Sequence, residues 1–555
     1  MVRRSVGARW SWLTLSVVSV ALVAAACGGG SSDDGGSSGG DGEGASGKPV
    51  SGGSVTYGLE AENAGGWCLP EGQLAIAGIQ VARTMYDTLT APDENGNYEP
   101  FLAQSVEPNA DFTQWTIKLR EGVKFHDGSA LDATVVKNNL DAYRGAYPAR
   151  KPLLFIFVLQ NIAQVDVVDP LTLTVTTKTA WPAFPAFLHS SGRLGIIAQA
   201  QLDDPETCDR NLIGTGPFKL QEWKINDHLT AVRNPDYWQK DADGNQLPYL
   251  DQITYRPIPD GDARVNALLA GELNAMHTAT PENIDRLRME KDNDKVAVDE
   301  SDKFAEVNYI MANVSKPPFD NINARLAAAY AIDRDSFNEV RNLGLTKVAS
   351  GPFAEGSVGF LEDAGFPEYD LDKAKEYAAK YTQETGNSLD ITVMATPDPS
   401  TVKSAQFIQE QVEKAGFKVN LKTVEQAALI NNALGGDWNA MAFRNHPGGA
   451  PDLQYNWWYG GSPVNFGKFD DPEMNALLDA GRAESDSSKA AEIYEDVNKR
   501  FGSQAYNLWL NWTIWDVATA PDVHGVYGTD LPEGGKPFPG LATGHPVSGM
   551  WISKG

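Results

Sequence analysis

The 555-residue sequence has only three cysteines and seven histidines, and that scarcity sets the first exclusions. No His-Glu-x-x-His occurs, and no histidine has a second one three to five residues away, so a catalytic zinc site lacks a ligand set. There is no Gly-Lys-Ser/Thr phosphate loop and no strand-to-helix Gly-x-Ser-x-Gly elbow, which removes the two commonest signatures of nucleotide and ester chemistry. Positive charge is also short. Against 73 Asp and Glu stand 46 Lys and Arg, and the net charge of −27 with a pI near 4.6 opposes nucleic acid and anionic lipid surfaces as partners. Asp241, Asp243 and Asn245 resemble the start of a calcium loop, but Gln246 stands where glycine is required and Gln252 where glutamate is, so the stretch reads as an acidic hairpin turn.

What is present is a globular, aromatic-rich chain: 42% hydrophobic, with 14 Trp, 18 Tyr and 21 Phe, long enough for two to four domains. Arg3, Arg4 and Arg9 precede an apolar run from Trp10 to Ala26, which reads as a signal peptide over residues 1–26. The run ends in Ala24-Ala25-Ala26-Cys27 followed by three glycines, which resembles a lipobox with Ala24 in place of the preferred leucine. Cleavage there would leave the Cys27 thiol for diacylglycerol. Residues 27–53 are then a lipidated cysteine and a Gly/Ser/Asp tether with a reach of roughly 25 to 30 Å.

The folded part starts near Ser54. Val55, Tyr57 and Leu59 alternate as a first strand, followed by a loop that carries Glu60, Glu62, Asn63, Trp67 and Cys68. A helix from Leu74 to Tyr86 leads to a hairpin whose turn is Asp93 to Asn97. Trp115, Ile117 and Leu119 alternate as a strand, Asp127-Gly128 turns the chain, and Asp132 caps a helix that buries Val135, Val136, Leu140 and Tyr143. Leu171, Leu173 and Val175 form another strand. From Leu389 strands and helices alternate (389–394, 401–415, 418–423, 426–434, 439–443), a rhythm that predicts a mixed or parallel sheet with helical cover. Two amphipathic helices follow, over 472–484 and 489–501, and the last strand candidate is Tyr506 to Thr513.

Two strings carry a resemblance: REGVKFHDGSALDA from Arg120, and GTGPFKLQEWKINDHLTAVRNPDYW from Gly214 to Trp238. In this order and at this distance they resemble the signature blocks of the family 5 solute-binding proteins, the extracytoplasmic receptors of peptide, nickel and related ABC importers. LLAGELN from Leu268, NARLAAAYAIDRDSF from Asn323 and FIQEQVEKAGFKVNLKT from Phe407 extend it over nearly all of residues 54–530. The resemblance implies an α/β, periplasmic-binding-protein-like two-lobed fold with an extra domain. Domain I would comprise residues 54–95, 208–305 and 515–555; domain II 96–207; domain III 306–514. The lobes would close on a hinge around a solute held between domains I and III. It implies a monomer with no cofactor and no metal, anchored on the outer face of the cytoplasmic membrane and delivering a peptide or other small polar solute to a permease. A secreted lipoprotein hydrolase is the alternative function, and an oligosaccharide, an anionic small molecule or a metal chelate are alternative ligands.

Site residues follow partly from that resemblance. Relatives use the loop after the first strand against the ligand, which nominates Glu62, Asn63 and Trp67; an ordinary exposed loop is the alternative. Trp457 and Trp458, with Tyr459, Trp509, Trp512 and Trp515, offer stacking surfaces or core. In FRNHPGGAPD, Phe443 to Asp452, alignment of Pro451 with the family's proline puts Pro447 where peptide-binding relatives carry an ammonium-binding aspartate. Arg444 and His446 stand nearby as donors suited to a carboxylate, phosphate or hydroxyl-rich ligand; a shift of register across the glycines would make Asp452 the anchor instead. His126 reads as structural. In an exported chain the remaining Cys68 and Cys208, which the resemblance places in or beside domain I, are expected to pair.

Overall fold

Val55 and Tyr57 are fully buried on the strand Ser54–Leu59, which lies inside a seven-stranded sheet, parallel to Gln252–Pro257 on one side and Ala275–Thr278 on the other. Trp515–Thr519 and Ala297–Ser301 complete the sheet beyond Ala275–Thr278, and His228–Arg233 and Phe218–Lys224 complete it beyond Gln252–Pro257. The computed structural model describes residues 47–63, 65–445 and 448–553. Cys27, the tether through residue 46, and His446 lie outside the described residues.

A second sheet is antiparallel, in the order Ala103–Pro108, Gln114–Leu119, Thr172–Thr177, Ile162–Asp169. Against it lies the helix Ala133–Tyr143, whose cap is Asp132: its carboxylate accepts the Val135 amide at 2.9 Å. The third sheet has six strands: Lys347–Val348, Asn507–Trp512, Val307–Ala312, Ala440–Asn445, Asp390–Ala395 and Lys418–Thr423. Asp390–Ala395 pairs parallel with both Lys418–Thr423 and Ala440–Asn445, and the helices Pro399–Glu413 and Gln426–Gly435 make the connections, as the alternation from Leu389 predicts. The fold is a mixed α/β architecture.

Three sheets share two cores. One apolar cluster runs continuously from the seven-stranded sheet (Val55, Tyr57, Ile253) into the four-stranded one (Trp115, Ile117, Val175). A separate cluster fills the six-stranded body (Val307, Tyr309, Trp458, Trp509). Among the described residues the chain passes between these bodies from Ser301 to Val307 and back from Trp512 to Trp515. The two passages touch, since the Thr513 amide donates to the Glu306 carbonyl at 2.9 Å.

The signature strings knot the first body together. Asp87, just beyond the helix Ile76–Met85, accepts from Thr215 Oγ1 and Trp238 Nε1 at 2.9 Å each and from the Tyr237 hydroxyl at 3.2 Å. His126 Nε2 donates to the Gly216 carbonyl at 3.0 Å while its Nδ1 accepts the Gly214 amide at 3.3 Å, so the ring is held as one neutral tautomer, and burial pulls its pKa down to about 4. A Cβ on Gly214 would fall 2.0 Å from the Met85 carbonyl oxygen, so the packing there admits only glycine. Cys68 and Cys208 form a disulfide across a sequence separation of 140. The chain also adds a strand after the last one the sequence predicts: Trp515–Thr519 returns to the seven-stranded sheet, and its five residues are all buried, so it has no alternation to mark it.

A charged gap between the two bodies

The passage Ser301 to Val307 carries Glu306, whose side chain is buried and whose Oε2 accepts the indole N–H of Trp515 at 3.1 Å. Opposite the first turn of the strand Val307–Ala312 stands Arg444, paired in register with Asn308 on Ala440–Asn445. Its guanidinium lies 3.6 Å from Glu306 Oε2, and its side chain keeps 47% of its surface open. From the other body comes Glu60, the residue after Ser54–Leu59, which lies at the carboxyl end of a parallel strand, where open α/β sheets place their ligands. Glu60 interacts electrostatically with Arg444, Glu306 and Asp398, and Arg193 does so with Glu306. Asp398 also caps the helix Pro399–Glu413, accepting the Thr401 amide at 2.8 Å.

Charges of both signs therefore stand where the two bodies meet. Burial raises the pKa of Glu60, an effect that Arg444 opposes and Glu306 reinforces. Glu306 in turn holds the Arg444 guanidinium above its ordinary value, so it stays charged. Burial lowers Arg193 to about 10, still cationic at neutral pH. His277 is pulled well below its usual value by burial, and its Nε2 accepts the Glu60 amide at 3.2 Å, so it serves as a neutral prop. An open guanidinium facing a carboxyl across a gap can hold a ligand carboxylate at one end and a donor group at the other. Among the described residues no three His, Cys, Asp or Glu side chains are grouped to hold a metal.

The other nominated residues are placed differently. Glu62 accepts the Asn226 amide and the Asn63 amide at 2.9 Å each, tying its loop to the turn between Phe218–Lys224 and His228–Arg233, and Asn63 Nδ2 donates to the Gly66 carbonyl within the loop. Trp67 is 1% exposed, edge-on to Trp223. Trp458 is core, packed on Phe353 and Phe501, while Trp457 is half-buried against Phe466. Trp509 stacks in the six-stranded core, Trp512 packs on Phe360, and Trp515 is spent on Glu306. Asp452 is buried with its carboxylate engaged by protein donors: Oδ2 accepts Trp181 Nε1 at 2.8 Å and Oδ1 accepts Arg482 Nε at 2.9 Å. Sequence reasoning missed Glu60, Glu306 and Arg193. The position of Glu60 just past a predicted strand was a usable signal; Glu306 and Arg193 had none.

Known proteins resemble the chain in sequence and in fold. A glutathione-binding protein of Pectobacterium atrosepticum is 32% identical over 348 residues, 62% of this chain and 64% of that protein. One from Escherichia coli O6:K15:H31 is 31% identical over 62% of this chain and 65% of its own. The chain thus spans just under two thirds of the length of these curated relatives. Among solved structures, an agropinic-acid complex of the Agrobacterium binding protein AgaA superposes with a TM-score of 0.78 at 25% identity, covering 91% of this chain and 99% of that one. The Bacillus subtilis oligopeptide-binding protein AppA, with a nonapeptide, gives 0.77 at 23%, covering 91% and 100%, a likeness of fold. Residues 97–467 match the middle region of the family, and the chain belongs to the bacterial extracellular solute-binding proteins, family 5.

Proposed function

We propose that this chain is the extracytoplasmic receptor of an ABC importer, capturing a small polar solute between its two bodies and presenting it to a membrane permease. The observation that carries the reading is Arg444, half open on the six-stranded body and electrostatically coupled to Glu60 of the other body. The solute is read as a peptide-like molecule with a carboxylate for Arg444 and an N–H or O–H donor for Glu60. The glutathione and agropinic-acid partners named for the relatives support a carboxylate-bearing class. Domains I, II and III over 54–95 with 208–305 and 515–555, over 96–207, and over 306–514 are part of the same reading. So are the lipid on Cys27, the monomeric state and binding without turnover.

Calorimetric titration with glutathione and short peptides, followed by product analysis, tests it. The expected result is saturable 1:1 binding of a carboxylate-bearing solute that is recovered unchanged. Consumption of the solute would replace the receptor with the lipoprotein hydrolase.

A further inference from the structure

The segment 448–456 belongs by sequence to the six-stranded body, against whose core Tyr455 packs, yet Ala450 and Leu453 within it are packed into the other body. Leu453, 7% exposed, is a member of the apolar core shared by the seven- and four-stranded sheets, and Ala450 packs against that core. In exchange Leu154 and Phe157, from the four-stranded side, pack against the six-stranded core. Backbone meets backbone where the two bodies touch. A Cβ on Gly449 would lie 2.5 Å from the Gly96 carbonyl oxygen, so glycine is needed for that approach. Gly96, at φ +82° in the turn of the hairpin Thr90–Pro92 and Tyr98–Pro100, presents that carbonyl, and the Gly449 backbone hydrogen-bonds the Tyr98 hydroxyl. Beyond it Trp181 Nε1 donates to Asp452 at 2.8 Å and Gln160 Nε2 donates to Asn456 Oδ1 at 2.7 Å.

The charges are arranged so that this seat can open. Asp452 is neutralised by Arg482 of its own body, from the helix Pro472–Ala483, whose guanidinium lies 3.5 Å over the Tyr455 ring of that body and also 5.4 and 5.7 Å from the Trp181 and Phe187 rings of the other. Parting the bodies therefore strands no unpaired ion, which would be the prohibitive term. What is lost is the burial of Leu453, Leu154 and Phe157, the Trp181 and Phe187 faces toward Arg482, an indole N–H bond to a carboxylate, an amide bond and a glycine contact. With the two covalent passages adjacent at Glu306 and Thr513, this seat is a second line of attachment between the bodies.

We propose that Gly448–Asn456 is a latch that seats when the bodies close, so that Trp181, Gly449 and Leu453 are positioning residues that set the closed population without touching the solute. This rests on the receptor reading above. The test needs no ligand: pulsed dipolar spectroscopy on the full chain, with spin labels carried by non-canonical residues at the exposed positions Asp243 and Lys375, one on each body. Wild type is expected to show two separations in exchange. Trp181→Phe and Leu453→Ala are each expected to cut the shorter-distance population at least about tenfold while the protein remains folded by circular dichroism. Unchanged distributions in both variants overturn the latch and leave the receptor reading intact. A lowered melting temperature with an unchanged distribution also overturns it, since the contact would then be a permanent packing surface. A single separation in wild type also overturns the latch, since no closed population then exists for it to set, and leaves solute-driven closure intact.

Discussion

Asp516 is fully buried on the strand Trp515–Thr519, beside the Glu300 carboxylate. Burial pushes its pKa up to about 8, and the Glu300 carboxylate, its cross-strand partner, adds to the rise. The folded state therefore keeps a proton that the unfolded chain releases near pH 4. The stability tied to that proton is fully present below pH 4 and is lost as pH rises toward 8. Asp516→Asn cannot ionise, so its melting temperature relative to wild type should climb between pH 4 and 8 and level off above, an advantage on the order of a few kcal/mol. A constant difference across that range would mean that Asp516 is ionised in the folded protein. At this scale the sequence was least legible. Arg444 was nominated from a motif, but Glu306 and Arg193 reach the gap through tertiary packing that leaves no local pattern, and the tryptophans near the chain's end looked alike although most are core.

Elements were more legible because their patterns are local. The cap at Asp132, the alternation around Trp115 and the strand-helix rhythm from Leu389 follow from periodicity and turn chemistry. The family strings proved to be packing instructions. Asp87→Ala would leave the buried Thr215 and Tyr237 hydroxyls and the Trp238 N–H without their acceptor, which should destabilise the first body by about 3 to 5 kcal/mol. Urea denaturation with an unchanged m-value checks this, and a loss under 1 kcal/mol would show the knot to be dispensable. Cys68–Cys208 closes a long loop, so Cys208→Ser should cost about 2 to 4 kcal/mol, read in the same experiment. An equal stability with and without reductant would place the constraint elsewhere, for instance in the Trp67 amide bond to the Asp209 carbonyl. The strand Trp515–Thr519 escaped prediction because a fully buried strand has no period of two to read.

At the scale of the molecule, two bodies joined by adjacent passages bring charges of both signs together, and Arg444 of the six-stranded body retains open surface. Family resemblance foretold the class of molecule; it said little about which charges face each other, since those meet only when sheets distant in sequence come together. A ligand carboxylate drawn into this gap would exchange water for Arg444, and removing that partner would leave the carboxylate desolvated and unpaired. The most direct measurement is the calorimetric dissociation constant of wild type and Arg444→Ala for the same carboxylate-bearing solute. The account predicts a loss of about 2 kcal/mol or more, roughly thirtyfold in affinity, with the 1:1 stoichiometry kept. An unchanged dissociation constant would contradict it.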